Sequence, residues 1–254
     1  MTDETLSPQG APEYSGAPWA FRRAITRSQN LITPWWGLGD ALITLALTSL
    51  VAVIVSISLV RSHVDPTNGW GLIISTSAPW LGLAGWPLYA AWRKGNGVRL
   101  DFGMLATKQQ IKLGLLGGLV AVTAGIALAK ISERIFGPIN SAAGELALEQ
   151  SGAVLVVFSL LIVFGAPLVE ELAFRGMLFS SLVKAKVNGF VAVVISAAVF
   201  GLFHFEPSRI LILFAIGLVL GEIRRRTGST LASVATHFMV NAPATIAILI
   251  TSLG

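Results

Sequence analysis

No cysteine occurs among the 254 residues, which excludes thiolate catalysis and leaves the redox compartment unreadable. Charge is also scarce. Asp, Glu, Lys and Arg make up 12% of the chain, against about a quarter in an average soluble domain. No G-x-S-x-G nucleophile elbow is present, and no Ser–Lys or Ser–His pairing is set by the sequence, although Ser180 and Ser181 lie near the most polar segment. There is no H-E-x-x-H pair to anchor zinc from one helical turn. Nor is there an internal repeat, which argues against an inverted-repeat transporter. The first 39 residues hold neither a continuous apolar core nor a small-residue cleavage site, so no cleavable signal peptide is expected.

What the chain has is apolar length. With 54% hydrophobic residues, runs long enough to cross a hydrocarbon core fall at about 40–60, 70–92, 112–131, 152–183, 187–204, 208–222 and 230–252. The expected fold is all-α: a polytopic membrane helix bundle of about seven transmembrane helices, or eight if the Trp19–Trp36 segment adds one. Residues 1–39 are expected to be a cytoplasmic tail and interfacial lead-in. Residues 1–18 are polar and read as a disordered tail, while Trp19, Phe21, Arg22, Arg23, Arg27, Trp35 and Trp36 suit the headgroup layer. Residues 40–254 then form one membrane domain.

Net charge is +5 and the basic residues are clustered. Arg22, Arg23 and Arg27 precede the first run. Arg93, Lys94, Arg99, Lys108 and Lys112 separate the second from the third, Lys184 and Lys186 follow the fourth, and Arg224 to Arg226 follow the sixth. Seven crossings place all four clusters on one side, opposite Asp65, Glu133, Glu145, Glu149 and Glu206, so the positive-inside rule predicts a cytoplasmic N-terminus. The basic balance is therefore topological and gives no case for nucleic acid. Arg224 to Arg226 read as a topogenic stop, and the tryptophans as interface anchors.

Two adjacent carboxylates, Glu170 and Glu171, interrupt the apolar stretch from Val154 to Val183, which otherwise carries only Arg175. A charge near the bilayer centre costs roughly 2.5–3.5 kcal/mol and normally faces a protein interior or wet cavity. Residues four apart share a helical face, so Glu171 and Arg175 form an ion pair, while Glu170 has no basic residue three or four positions away. Pro167 removes a backbone hydrogen bond and distorts the helix beside Glu170. Of three histidines, His63 lies in a polar loop with Arg61 and Asp65; His204 and His237 lie at or within apolar runs. His237 shares a face with Asn241, and Phe200 with His204, where Gly201 permits close helix approach. Counted at ~1.5 Å per residue from the basic ends, Glu170, His204, His237 and Asn241 fall within a band of about 14 Å in depth, so they can converge. A carboxylate can take a proton from water, one imidazole can hold that water, and a second imidazole with an amide can stabilise an oxyanion. The bland alternatives are a buried ion-pair triad and interhelical polar glue.

The segments Glu170-Glu171-Leu-Ala-Phe-Arg175, Phe200-Gly-Leu-Phe-His204 and His237-Phe-Met-Val-Asn241 resemble the EExxxR, FxxxH and HxxxN motifs of the CPBP (or ABI) family, the CAAX proteases and bacteriocin-processing enzymes. The close resemblance covers about 152–252, and the Gly103-Met-Leu segment is similar to the family's upstream part. The resemblance implies an intramembrane endopeptidase with its catalytic core in that region. Glu170 would be the general base and His204 would orient the water. His237 and Asn241 would form the oxyanion site, with Glu171 and Arg175 supporting it. It further implies a membrane-embedded or lipidated peptide or protein substrate within the lipid bilayer, and the chain is expected in a bacterial inner membrane. No cofactor is expected. The family has also been classed with metalloproteases, and were a divalent ion bound, Glu170, His204 and His237 would be its candidate ligands. Two other classes use the same polar cavity: a non-catalytic membrane partner, such as an immunity-like protein, and a proton-coupled transporter.

Overall fold

Apolar runs punctuated by Gly, Pro and Asn fold here into helices throughout. The computed structural model describes residues 32–139 and 141–253; the lead-in expected around Trp19, Arg22, Arg23 and Arg27 lies outside the described residues. In chain order the helices are α1 (Leu38–Arg61), α2 (Gly69–Ser77), α3 (Trp86–Lys94), α4 (Val98–Asp101), α5 (Lys108–Phe136), α6 (Ala142–Leu148), α7 (Gly152–Lys184), α8 (Gly189–Phe203), α9 (Ile210–Thr227) and α10 (Thr230–Leu253). No strand occurs among the described residues.

Four stretches are long and apolar enough to cross a membrane: Leu38–Arg61, Lys108–Ile135, Gly152–Lys184 and Thr230–Ser252. The seven runs seen in the sequence are thus unequal. α8 has 15 residues, or about 22 Å of helix against a hydrocarbon core of about 30 Å. The 70–92 run is divided into α2 and α3 by a π-helical turn at Leu81–Gly85. α9 ends in Glu222, Arg224, Arg225 and Arg226, which shortens its apolar length.

Local signals explain the ends. Thr107 opens α5 with a capping box: its hydroxyl accepts from Gln110 N, and Gln110 Oε1 accepts from Thr107 N. Asn188 caps α8 by accepting from Phe190 N and Val191 N. Gly228 turns the chain from α9 into α10 at φ +66°, the left-handed conformation that suits glycine.

α5, α9 and α10 pack on one another, α8 packs on α9, and α7 threads between α10 and the α1–α3 layer. Small residues set the closest approach. A Cβ on Gly217 of α9 would sit 3.0 Å from Ala197 Cα of α8, and one on Gly201 would sit 3.4 Å from Ile210 O, so these helices meet backbone to backbone. The core runs from Trp36 and Phe102 through Phe174, Met177 and Phe179 to Phe200 and Leu220.

The basic clusters at 93–112, 184 and 224–226 gather at one end, where several of them bind the chain's own groups. Lys184 donates to the carbonyls of Pro34 and Trp36, Lys94 pairs with Asp40 at 2.6 Å, and Gln110 Nε2 donates to Thr227 O. Two expectations change. Arg224 is fully buried, donating from Nε to Arg175 O at 3.1 Å and from Nη2 to Ser180 Oγ at 3.2 Å, so it is a core residue rather than a simple stop signal. Trp36 is 1% exposed, with its indole N–H on Asp101, whereas Trp35 is 84% exposed. Helical phase separates the arginines: Arg225 and Arg226 face outward and pair with Glu222.

Candidate active site

The site begins with a proline. Two π-helical segments, Leu161–Gly165 and Leu172–Leu178, bracket the turn that carries Pro167, Glu170 and Glu171. In the first, Ala166 N–H bonds Leu161 O, one residue further back than in an α-helix. The same register would assign Ile162 O to the N–H of residue 167, and Pro167 has none. Asn241 of α10 fills that place: its Nδ2 donates to Ile162 O at 2.9 Å. The disturbance expected from Pro167 is therefore present, and its orphaned carbonyl is what holds Asn241.

Glu170 and Glu171 diverge as adjacent helical residues must. Glu171 is wholly buried; its Oε1 accepts from Arg175 Nη1 at 2.9 Å and faces His237 Nδ1 at 3.0 Å. The i,i+4 pair anticipated between Glu171 and Arg175 is formed. Arg175 is also fully buried, donates to Gly217 O at 3.1 Å, and lies 4.6 Å from the centroid of the Phe200 ring, a cation–π contact. Glu170 points elsewhere. Its Oε2 makes no hydrogen bond and lies 3.9 Å from both His204 Nε2 and His237 Nε2.

Each ring's other nitrogen is fixed as a donor. His204 Nδ1 lies 2.7 Å from Phe200 O; a carbonyl only accepts, so Nδ1 carries the proton. His237 Nδ1 faces the Glu171 carboxylate in the same way. Both Nε2 atoms are thereby turned toward Glu170. Phe200 braces both rings edge-on, with centroids 4.6 Å from His204 and 5.7 Å from His237. The structure thus gathers Glu170, Glu171, Arg175, His204, His237 and Asn241 in one cluster built from α7, α8 and α10. His63 stands apart in its exposed loop.

Two cavities meet at this cluster. One of about 240 Å³ is lined by Glu170, His204, His237 and Asn241 together with Ser159 and Arg209. The other, of about 270 Å³, is lined by Glu170 and His204 with Thr48, Trp80, Phe174 and Phe203. Glu170 and His204 belong to both.

A metal does not fit the donors as they stand. Among the described residues no group of three His, Asp or Glu side chains is placed to hold an ion. The nearest set keeps Glu170 Oε2 3.9 Å from each imidazole nitrogen, wider than the about 3.4 Å that separates ligands on tetrahedral zinc with bonds of about 2.1 Å.

Sequence reasoning missed four participants. Ile162 and Gly217 act through backbone carbonyls, which no side-chain pattern reveals, although Pro167 signals the first. Arg224 was hidden in a basic run, and Ser159 in an apolar one.

Residues 152–243 match the family model described as Type II CAAX prenyl endopeptidase Rce1-like. That is the family which the three motifs resemble. No curated protein matches the chain, and no solved structure does.

Proposed function

From the CAAX-protease family domain at 152–243 we propose that this chain is a multi-pass intramembrane endopeptidase in which Glu170 activates water. The observation that carries the reading is the position of Glu170 Oε2, unbonded at a cavity wall and 3.9 Å from two imidazole nitrogens. That separation is too long for a hydrogen bond and short enough for one water to bridge.

In the mechanism, water between Glu170 and His204 Nε2 donates a hydrogen bond to each; as its oxygen attacks the scissile carbonyl, Glu170 takes one proton and the other stays on that oxygen. Glu170 keeps its proton and returns it to the leaving amine. The developing oxyanion faces His237 and Asn241. His237 fills that role from Nε2, which faces the cavity, while its Nδ1 is held on Glu171. Asn241 offers the second N–H of the amide whose first is held by Ile162 O. Glu171, itself held by Arg175, fixes the His237 ring, and such preorganised donors in a dry site stabilise the transition state most.

The substrate class follows from the family and the two cavities: a membrane-associated, lipidated or membrane-embedded protein whose scissile bond lies between the polar-lined cavity and the aromatic one. Besides the four long helices, Gly69–Lys94, α8 and α9 run between the basic end and the opposite loops, which supports seven crossings. The gathered basic clusters favour a cytoplasmic side for that end, in a bacterial inner membrane.

The test is cleavage of a panel of lipidated and transmembrane reporter peptides by purified wild type and Glu170→Gln in detergent, each with and without chelator. Wild-type cleavage that survives chelator and falls by about 10²–10⁴-fold in Glu170→Gln is the expected result. Equal cleavage by both proteins refutes the role of Glu170 and favours a non-catalytic use of the cavity.

A further inference from the structure

Buried hydroxyls on these apolar helices find partners in their own helix or in a neighbouring one, as Ser196 does on Phe174 O and Ser233 on Leu220 O. Thr44, Thr48, Ser77 and Thr245 each donate to the carbonyl four residues earlier, the usual way a membrane helix satisfies a hydroxyl. Ser159 is different. It is 3% exposed, its Oγ has no hydrogen-bond partner, and it lines the same cavity as Glu170, His237 and Asn241. An unpaired hydroxyl facing a cavity is a donor kept for something that enters. Glu170 Oε2 is likewise unpaired, and Glu170 lines the same cavity.

We infer that the Ser159 hydroxyl is a substrate-recognition donor, which hydrogen-bonds a backbone carbonyl of an extended peptide about five residues from the bond held at Glu170. The spacing sets that number. Ser159, Ala166 and Glu170 follow one another along the cavity wall of α7, and eleven residues of helix span about 16 Å. An extended peptide advances about 3.3 Å per residue. This inference deepens the endopeptidase reading and rests on it for the identity of the ligand. It adds a requirement of its own: substrate must extend beyond the immediate neighbours of the scissile bond on one side.

The cysteine-free chain provides a test that does not depend on cleavage. Ser159→Cys introduces the sole thiol, and Ser62→Cys, in an exposed loop, serves as control. Both are exposed to a water-soluble methanethiosulfonate reagent in detergent, with and without a prenylated reporter peptide of about twelve residues. In parallel, KM is measured for wild type, Ser159→Ala and Ser159→Thr on reporters with two or six residues on either side of the cleaved bond.

The expected result has three parts. The Ser159→Cys thiol reacts and the peptide slows it, whereas the control is unaffected by peptide. Wild type and Ser159→Thr favour the longer reporter on one side by about three- to tenfold in KM, one hydrogen bond's worth. Ser159→Ala loses that preference while keeping kcat. An unreactive Ser159→Cys thiol beside a reactive control, reaction without peptide protection, or an unchanged length preference in Ser159→Ala would each overturn the inference. Protection of the thiol by a peptide that wild type fails to cleave would support recognition by Ser159 and count against the endopeptidase reading.

Discussion

Removing Asn241 should cost stability only because Pro167 is present. Ala166 N–H is committed to Leu161 O, Pro167 has no N–H, and Ile162 O accepts from Asn241 Nδ2 at 2.9 Å. In Asn241→Ala this half-buried carbonyl in an apolar helix loses its donor, at a cost of about 1–3 kcal/mol, or roughly 5- to 150-fold in the folded population. Pro167→Ala supplies a new N–H at the position the π register assigns to Ile162 O. In that background Asn241→Ala should cost less than about 0.5 kcal/mol, which leaves a coupling energy of about 1–2 kcal/mol in a double-mutant cycle. Reversible unfolding of the four proteins in mixed detergent–SDS micelles measures it. Equal costs of Asn241→Ala in both backgrounds would refute the account of Ile162 O. Cleavage assays on the same four proteins separate the two roles of Asn241: if it also serves the oxyanion, the double variant recovers stability without activity.

Three further outcomes follow from buried contacts. Glu171→Gln leaves the fully buried Arg175 without its carboxylate and should destabilise by about 3–5 kcal/mol in the same unfolding assay, whereas Glu170→Gln, which breaks no hydrogen bond, should be close to neutral. Arg224→Met, which keeps volume but removes the buried donors to Arg175 O and Ser180 Oγ, should lose about 1–3 kcal/mol without altering membrane orientation in a topology-reporter assay, and Arg225→Ala should stay within about 0.5 kcal/mol. Gly217→Val should force α8 and α9 apart at Ala197, where a Cβ already meets atoms at 3.0 Å, lowering stability by about 1–3 kcal/mol.

How far the sequence reached can be told from α7. Its helical phase alone separated Glu170 from Glu171 and paired the latter with Arg175, because i,i+4 geometry is local. Pro167 announced a distortion for the same local reason. The three polar motifs in apolar runs singled out the residues that the structure brings into one cluster, since a bilayer makes any retained charge conspicuous. Fold class and the polytopic character came from composition and run length.

The remainder depended on which surfaces meet. That Ile162 O faces Asn241 and that Gly217 O receives Arg175 are consequences of packing between residues 79 and 42 positions apart, and backbone acceptors leave no mark in a sequence. The arginines at 224–226 are chemically identical, and only the phase of α9 against α7 buries the first and leaves the others in water. Hydropathy counts apolar length without seeing where a helix breaks, so it could not distinguish the four long helices from the interrupted 70–92 run. Local periodicity and the cost of charge in an apolar medium thus chose the helices and the chemistry. Tertiary contact decided which polar atoms are satisfied and which, at Glu170 and Ser159, are left facing a cavity.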